Sequence, residues 1–310
     1  MIFFKKKQQL KSKIQTTLKT ALIAGSGQLP IIVAERLQQQ NVPLTIVCLD
    51  DNNFQYFQDH NTQQNLYNVF NIKMEDVIDI LSIIKTQKTQ QVVICGAVKF
   101  KGINVIKFFK FSFIVKHLNL IKPILSAVFA KQKGDNFLLT LVEKILNRIG
   151  CKVVAVQDVL PDIMCSKKDE INVKLAQRYF SDIKFGDEIL NTMSTYDIGQ
   201  SIVTHNGRVL GIEAYEGTQN LIKRCGKYYA EINEKNTQKT KPVLIKKSKL
   251  NQNRKLDVPT IGKQTILDLI SANFAGLALE NNSVFILDKD EVRELCRQNN
   301  LFLTVIDIKK

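Results

Sequence analysis

The sequence predicts an α/β protein of two domains, a Rossmann-like domain with a parallel sheet followed by an α+β domain. Three observations predict this fold class. The N-terminal half alternates short apolar runs with amphipathic segments, as strands and helices do in a parallel sheet covered on both faces. An Asn-Gly pair at 206–207 separates two β-type runs, the strongest short-range signal of an antiparallel hairpin. A length of 310 residues is enough for two cores of ordinary size.

The Rossmann-like domain is predicted at residues 20–162, after a basic flexible arm at residues 1–19. Gly25, Ser26 and Gly27 follow its first strand and are predicted to turn the chain tightly into the first helix. The predicted strands cover 20–24, 44–49, 91–96 and 151–156, and the predicted helices cover 29–40, 75–85 and 133–149.

The α+β domain is predicted at residues 173–308, joined to the first by a linker at 163–172. An antiparallel hairpin is foreign to a doubly wound sheet, so it indicates a second fold. The basic segment 232–254 is predicted to be a loop. The remaining elements are predicted as helices at 170–193, 263–273 and 290–299, a helix after Thr218, and strands at 201–205, 208–213, 276–279, 284–287 and 301–307.

The charge balance favours anionic partners. Lys and Arg number 44 against 29 Asp and Glu, a formal net charge of +15. Residues 1–20 supply six lysines and no acid, so +9 of that charge remains on the rest of the chain. A basic surface attracts nucleic acid, phosphorylated small molecules or the anionic face of a membrane, and charge alone does not choose among them.

Several classes of site and segment are not expected. The six cysteines form no CxxC pair and the three histidines no HExxH or HxH spacing, which argues against zinc, thioredoxin-like and histidine-rich di-metal sites. The cysteines are predicted to be free thiols in a reducing compartment. The start of the chain lacks the apolar core of a signal peptide, and no run reaches the length of a membrane span. The apolar stretch 103–130 is interrupted by lysines and by Pro123, and is interpreted as amphipathic helix.

The run from Gly25 to Pro30 is the first candidate site. A glycine turn leading into a helix N-terminus exposes backbone N–H groups and the positive end of the helix dipole, which suits a phosphate. Pro30 takes the place of the third glycine of a dinucleotide fingerprint, so that fingerprint is weak. An anion site and an ordinary turn are both left open.

A group of acidic residues at the open ends of the hairpin is the second candidate. Antiparallel strands joined by a tight turn bring Asp197 and Gln200 beside Glu213 and Glu216. Three neighbouring carboxylates are costly unless a cation or substrate hydrogen bonds offset them, and a hard divalent metal would do so. The alternative is a solvated acidic rim, with Thr218 capping the next helix.

Two basic groups are weaker candidates. Lys133, Gly134 and Asp135 could bind phosphate, although Asp135 as a helix cap is the commoner arrangement. Arg224 would suit a bidentate phosphate clamp. The basic stretch near it is interpreted as a solvated charge run without aromatic residues for base stacking, and its members are Lys241, Lys246, Lys247, Lys249, Arg254 and Lys255.

The segment from Lys255 to Gly262 places one carboxylate, Asp257, between two apolar residues and just before Pro259. Such flanks hold a carboxylate still with little water around it. Taken alone, an Asp before a proline is more often a turn or helix-cap residue. The local residues therefore leave a catalytic role and a turn role open.

The order of these motifs resembles one known family. Along the chain stand ALIAGSGQLP, CG near 95, KGD, DIGQ, the Asn-Gly hairpin, EAYEGT, Arg224 and LDVPTIG. The series is similar to the non-calcineurin UDP-2,3-diacylglucosamine diphosphatases of lipid A biosynthesis, over about residues 20–308. The resemblance implies a two-domain hydrolase that cleaves the pyrophosphate of this substrate to UMP and 2,3-diacylglucosamine 1-phosphate (lipid X).

The resemblance also implies the site residues. Asp257 would be the catalytic residue and Mg²⁺ is the implied cofactor; Asp257 would either activate the attacking water or hold Mg²⁺. Glu213 and Glu216 of the acidic group are the other expected ligands. The implied substrate-binding residues are Gly25, Ser26, Gly27, Leu29, Pro30, Gly96, Lys99, Lys133, Gly134, Asp135, Gln200, Gly217, Thr218, Arg224 and Thr260. After Gly96 the family usually has a polar and then a basic residue, whereas Ala97 and Val98 stand here before Lys99.

The expected partners are the UDP-lipid substrate and an anionic membrane surface; nucleic acid is not expected, and a homo-oligomer is left open. The expected location is cytoplasmic, peripheral to the inner membrane face. Two other classes of function compete with this interpretation. One is a non-enzymatic basic module that binds nucleic acid or anionic membrane. The other is a nucleotide-dependent oxidoreductase, which the incomplete glycine fingerprint disfavours.

Overall fold

A computed structural model gives two compact units. The N-terminal unit consists of residues 1–162 and 253–257, and the C-terminal unit of residues 163–252 and 258–310. The residues whose structure is described are 14–61, 67–73, 76–98, 135–196, 198–235, 240–249 and 253–307. The predicted basic arm lies mostly outside this part, and the apolar stretch 103–130 lies wholly outside it.

The N-terminal unit contains a five-stranded parallel sheet in the order β3-β2-β1-β4-β5. Its strands are β1 (Thr20–Ala24), β2 (Leu44–Cys48), β3 (Tyr67–Asn71), β4 (Gln91–Cys95) and β5 (Lys152–Val154). The predicted parallel α/β fold is confirmed. Strand β3 was not predicted, because it is an edge strand with mostly exposed or half-buried residues and so lacks the apolar run of a buried strand.

Helices cover this sheet and leave its core apolar. They are α1 (Leu29–Gln39), α2 (Asp51–Asn61), α3 (Val77–Thr86), α4 (Asp135–Arg148) and α5 (Val156–Val159). One core cluster joins Ala21, Val47 and Val92 from three strands to Leu256 of the segment 253–257. Helix α2 was not predicted, because its buried residues are just Asn53 and Phe57.

The C-terminal unit contains a mixed five-stranded sheet in the order β12-β10-β8-β6-β7, beside a small sheet of β9 and β11. Strands β8, β10 and β12 are parallel, whereas β6 is antiparallel to both β7 and β8. The strands are β6 (Ser201–His205), β7 (Arg208–Ile212), β8 (Val243–Lys246), β9 (Thr260–Ile261), β10 (Gly276–Glu280), β11 (Phe285–Ile286) and β12 (Phe302–Ile306). The predicted α+β character is confirmed.

The predicted Asn-Gly hairpin is also confirmed. Asn206 and Gly207 both have positive φ angles, +50° and +69°, as a tight two-residue hairpin turn requires. The carboxylate of Asp182 accepts hydrogen bonds from the backbone N–H groups of Asn206 (3.0 Å) and Gly207 (2.7 Å). A side chain from a neighbouring helix therefore anchors this turn.

The prediction of a loop over 232–254 is wrong for much of that segment. A helix extends to Lys235, and residues 243–246 form β8, at the centre of the sheet. Val243, Leu244 and Ile245 are fully buried. The strand was missed because its apolar run is only three residues long and is followed by lysines, so the local composition resembles a charged loop.

The helices of this unit are α6 (Val173–Gln177), α7 (Phe180–Met193), α8 (Gly217–Lys235), α9 (Lys263–Ser271) and α10 (Lys289–Gln298). The single helix predicted at 170–193 is two helices, α6 and α7, separated at residues 178–179. In the segment 163–172, Cys165 and Ile171 are buried, and Ile171 exchanges two backbone hydrogen bonds with Leu303 of β12. This segment therefore packs as part of the C-terminal unit.

All six cysteines are buried and free, which confirms the prediction of unpaired thiols. Burial raises the pKa of the Cys48, Cys165 and Cys296 thiols to about 12. These thiols are therefore protonated and unreactive near neutral pH. Within the described ranges, no helix is both long enough and apolar enough to cross a membrane.

Candidate functional site

The point where the strand order of the parallel sheet reverses lies between β1 and β4. The chain runs outward from β1 through β2 to β3, then crosses to β4 and β5 on the other side. Ligands of doubly wound sheets bind outside the carboxyl ends of the strands at such a point. Here those ends carry Gly25 after β1 and Gly96 after β4.

The two glycines allow these strand ends to approach each other closely. Gly25 N–H donates to the Cys95 carbonyl (2.8 Å), and Ser26 and Ala97 exchange two backbone hydrogen bonds (2.8 and 2.9 Å). A Cβ atom at Gly96 would lie 2.8 Å from the carbonyl carbon of Gly25 and from Cγ of Pro30. Gly96 also has a φ of +92°, so it must remain glycine on two grounds.

Asn53 holds this turn, although it is not among the site residues predicted from the sequence. Its buried Nδ2 group donates to the carbonyls of Gly25 (2.6 Å) and Gly27 (3.1 Å). It stands in the first turn of α2, where Asp50 accepts the Asn53 backbone N–H (3.1 Å). No local signal identifies it, because its partners lie 26 and 28 residues earlier in the chain.

The N-terminus of α1 faces the same turn. Gln28 stands at the cap position without a side-chain hydrogen bond to the helix, so it leaves the first N–H groups of α1 for another acceptor. Leu29 and Pro30 are buried. Their side chains therefore pack inside the unit, and any contact of Leu29 with an anion would come from its backbone.

Asp257 is the last residue of the short segment 253–257, which belongs to the N-terminal unit. Leu256 anchors the segment in the core, and the Asp257 backbone N–H donates to the Asn253 carbonyl (2.9 Å). Asn253 Oδ1 accepts the backbone N–H of Lys255 (3.1 Å). The turn thus precedes Asp257 and is capped by Asn253, while Asp257 itself is half-buried.

Glu143 of α4 fastens this segment. Its carboxylate accepts hydrogen bonds from Asn253 Nδ2 (2.7 Å) and Lys255 Nζ (2.7 Å). Burial alone would raise the pKa of Glu143, but the hydrogen bonds from Lys255 and Asn253 outweigh it and lower that pKa. The charged carboxylate of Glu143 is therefore one of the groups that fix the position of Asp257.

The open ends of the hairpin meet as the sequence predicts. Ser201 O accepts the backbone N–H of Glu213 (2.8 Å), and a Cβ atom at Gly199 would lie 2.7 Å from the Glu213 carbonyl oxygen. Gln200 O accepts the backbone N–H of Lys247 (2.9 Å). Gln200 and Glu213 are therefore neighbours, while Asp197 lies outside the described residues.

Glu213 is not a solvated rim residue. Its side chain is 13% exposed, and Oε1 accepts a hydrogen bond from the Thr218 hydroxyl (3.0 Å). Its other oxygen, Oε2, is buried without a hydrogen-bond partner among the described residues. Lys246 Nζ lies 3.9 Å from Oε2 and donates to Thr218 Oγ1 (2.7 Å).

Glu216 is paired with Arg224. Arg224 Nη2 donates to Glu216 Oε1 (2.6 Å) and to the Ile212 carbonyl (3.3 Å). The hydrogen bond from Arg224 lowers the pKa of Glu216. Glu213 and Glu216 thus each have a cation of the protein beside them, which offsets part of the repulsion that the sequence pattern indicated.

A second buried lysine, Lys247, was also missed. Its ammonium contacts Asp187 and Asn191 of α7, with Asn191 Oδ1 at 2.8 Å, and lies 3.7 Å from Glu280 Oε1. The interpretation of Lys246 and Lys247 as a solvated charge run is wrong, because both residues are buried. Strand geometry explains the difference: successive side chains point to opposite faces of the sheet, and both faces are covered by helices.

A cavity of about 520 Å³ lies in the same unit. Asp187, which contacts the ammonium of Lys247, also lines this cavity. Val173 and Phe180, which are 43% and 67% exposed, supply apolar lining. Its other lining residues include Lys167, Glu170, Ala176, Gln177, Ile183, Lys184, Thr304, Val305, Ile306 and Asp307.

The remaining predicted site residues are placed as follows. Thr260 is the first residue of β9, and its hydroxyl donates to the Val258 carbonyl (3.1 Å). Gly217 begins α8 with a φ of +77°. Lys99, Lys133 and Gly134 lie outside the described residues, and Asp135 is described just as the first residue of α4. Among the residues described, no group of three or more His, Cys, Asp and Glu side chains is placed to hold a metal ion.

Comparison with known proteins places both halves of the chain in one family. Residues 19–163 match the LpxI N-terminal domain, and residues 169–304 match the LpxI C-terminal domain. One similar protein is the UDP-2,3-diacylglucosamine pyrophosphatase LpxI of Caulobacter vibrioides. It is 27% identical over 197 residues, which are 64% of this chain and 70% of the relative.

Replacing Gly96 with Ala should destabilise the turn between β1 and β4. The new Cβ atom would clash with backbone and adopt an unfavourable φ, at a cost of about 2–3 kcal/mol. Gly27→Ala is the matched control, because Gly27 has a similar φ of +96° but open space around its Cβ position. Its cost should be about 1 kcal/mol. Urea unfolding of both variants measures the difference, and equal costs would contradict the close approach.

Replacing Glu143 with Gln should lower stability in a pH-dependent way. The lowered pKa means that Glu143 contributes stability above its ordinary value of 4.5, and that this stability is lost as the pH falls through the lowered value. We expect Glu143→Gln to lower the free energy of unfolding by about 1 kcal/mol at neutral pH. The loss is no larger because water partly screens the charge of Lys255. The cost should vanish in acid. A constant cost between neutral pH and pH 3, about one unit below the ordinary carboxyl value, would contradict this assignment.

Proposed function

This chain belongs to the LpxI family, and from that premise we propose that it hydrolyses UDP-2,3-diacylglucosamine. The proposed reaction breaks the pyrophosphate bond and releases UMP and 2,3-diacylglucosamine 1-phosphate (lipid X), a step of lipid A biosynthesis. The observation that carries the proposal is the match of both LpxI domains, in order, along nearly the whole chain. At family level the chain is a lipid A pathway diphosphatase.

The glycine turn of the N-terminal unit is proposed to bind the phosphate side of the nucleotide. Gly25, Ser26 and Gly27 stand at the switch point of the sheet, and α1 begins directly after them. Backbone N–H groups at a helix N-terminus favour anions. Gly96 is required there because a side chain would clash with Gly25 and Pro30 and hold the strand ends apart.

Asp257 is proposed as the catalytic residue. Its segment is held by Leu256 in the core and by Glu143, so the carboxylate has a defined position. A carboxylate held in this way can accept a proton from the attacking water or help to hold a metal ion. Its half-buried position leaves room for either role.

Charge on the transferred phosphoryl group is proposed to be offset by Arg224. Its guanidinium uses Nη2 for Glu216 and Ile212. A guanidinium has five N–H donors, so others are available for phosphate oxygens. Gln200, Thr218 and Thr260 are retained as proposed substrate contacts.

Mg²⁺ is proposed as the cofactor. Glu213 fits a cation, because its Oε2 atom is buried without a hydrogen-bond partner in the described structure, and Mg²⁺ prefers oxygen ligands. Glu216 would join only by giving up its contact with Arg224. Asp257 remains an expected ligand on the ground of the family resemblance alone. When bound, Mg²⁺ would neutralise charge on the pyrophosphate oxygens.

Peripheral attachment to the cytoplasmic face of the inner membrane is proposed for the location. A net charge of +15 supports it, because anionic lipid headgroups attract a basic surface. The substrate carries two acyl chains and is itself expected in or near the bilayer.

Incubation of the purified protein with UDP-2,3-diacylglucosamine and Mg²⁺ should release UMP, detected by mass spectrometry. Asp257→Ala should remain folded and lose activity by about 10²- to 10⁴-fold, as expected for a residue that transfers a proton. Asp257→Asn is the matched variant, since it keeps the size of the side chain and removes its charge. Absence of UMP from the wild type would overturn the activity, whereas near-normal turnover of Asp257→Ala would overturn the role of Asp257 alone.

Removing divalent cations should abolish the activity, and Glu213→Gln should raise the Mg²⁺ concentration needed for half-maximal rate. We expect a change of about 10- to 100-fold, because an altered ligand weakens metal binding. Glu216→Gln should change it less, since Glu216 already has Arg224 as its partner. Full activity in excess chelator would remove the metal from the proposal.

A further inference from the structure

Lys246 is buried in a way that stability does not explain. It is the last residue of β8, and its side chain is 5% exposed. Moving an ammonium out of water costs several kcal/mol, and an apolar residue of similar size is often equally or more stable at such a place. A lysine at this position therefore requires a reason other than packing.

The contacts of Lys246 give the direction of a hydrogen-bond chain. An ammonium has three donors and no acceptor, so Thr218 Oγ1, 2.7 Å away, must accept from Lys246. The single proton of the Thr218 hydroxyl is then available to Glu213 Oε1, 3.0 Å away. The chain runs in one direction, from Lys246 through Thr218 to Glu213.

The hydrogen-bond chain ends on Glu213 Oε1, and the other oxygen of this carboxylate has no hydrogen-bond partner among the described residues. Thr218 fixes Glu213 through Oε1, and Oε2 is left buried and unbonded within the described residues. Lys246 Nζ lies 3.9 Å from Oε2, which is too far for a hydrogen bond and near enough for charge attraction. A buried acceptor in this state is costly unless a ligand completes it.

We infer that Lys246 is a positioning residue, which acts through Thr218 to present Glu213 Oε2 to the ligand of the active site. The inference rests on the proposed function, in which Glu213 helps to hold Mg²⁺. Lys246 acts through protein groups, because its ammonium donates to Thr218 Oγ1 and lies near Glu213. Ser201 Oγ, 3.3 Å from Nζ, is a second acceptor for Lys246 that lies outside the chain to Glu213.

Four single variants test the inference in the UMP-release assay. Lys246→Met keeps the length of the side chain and removes the donor, and Thr218→Val keeps its shape and removes the hydroxyl. Each should lower kcat, or raise the Mg²⁺ requirement, by about 10- to 100-fold, as loss of a group that orients a metal ligand does. Thr218→Ser restores the hydroxyl, and Ser201→Ala removes only the side contact. Thr218→Ser should recover most of the activity that Thr218→Val loses, and Ser201→Ala should stay within about threefold of the wild type, less than 1 kcal/mol.

The double variant Lys246→Met with Thr218→Val decides whether the two residues act as one unit. If Lys246 acts through Thr218, the double variant should be no worse than the poorer single variant. Losses that multiply would show independent roles and overturn the inference. So would wild-type activity of Lys246→Met, or a Thr218→Ser variant as poor as Thr218→Val.

Folding and function are separated by two controls. Thermal unfolding of each variant shows whether lost activity is lost structure. If Lys246→Met does not fold, comparison of Thr218→Val with Thr218→Ser carries the decision, because Thr218 is only half-buried at the start of α8. A wild-type protein that releases no UMP would overturn the proposed function, whereas an active wild type with unaffected variants would overturn only the role of Lys246.

Discussion

The buried ammonium of Lys246 holds together the elements around the end of β8, the central strand of the C-terminal sheet. Lys246 ends the central strand β8, and its charge is offset by Thr218, Ser201 and Glu213, which come from α8, β6 and the exit of β7. A desolvated charge tolerates few arrangements, because each lost partner costs a large part of the stability of a domain. Three consecutive elements of the chain are thereby fixed against β8, whose Lys246 follows Thr218 by 28 residues. The neighbouring Lys247 also needs hydrogen-bond partners for its buried ammonium, and α7 supplies them on the opposite face of the sheet.

Backbone approach has a comparable effect in the N-terminal unit. Strands β1 and β4 are adjacent, and their carboxyl ends come together only because Gly25 and Gly96 have no side chains. Asn53 then ties two carbonyls of the turn from a third element. The turn is thus held in one arrangement by the protein itself, which would reduce the entropy cost of the proposed anion binding. Close backbone approach in one unit and buried charge in the other thus each fix the position of the groups proposed to act.

Sequence reasoning succeeded where a local pattern had a local cause. The parallel strands and the Asn-Gly hairpin follow from residue periodicity and turn chemistry, so they were predicted correctly. It failed at β3, at α2 and at β8. The periodic signal is weak in β3 because the strand lies at the sheet edge, in α2 because the helix is mostly polar, and in β8 because its apolar run is short and followed by lysines. In each case tertiary contacts supply the stability that the local sequence lacks.

The sequence by itself determined the fold class, the family and the motifs in which Asp257, Glu213, Thr218 and Arg224 stand. Those features depend on residue identity and order along the chain. Only the tertiary structure decided which charges are buried and which pairs meet. It placed Lys246 and Lys247 inside the protein, paired Glu216 with Arg224, and left one oxygen of Glu213 unbonded. Burial depends on the strands and helices that pack around a residue, and pairing depends on how the turns aim the side chains, so the order of residues along the chain does not contain them.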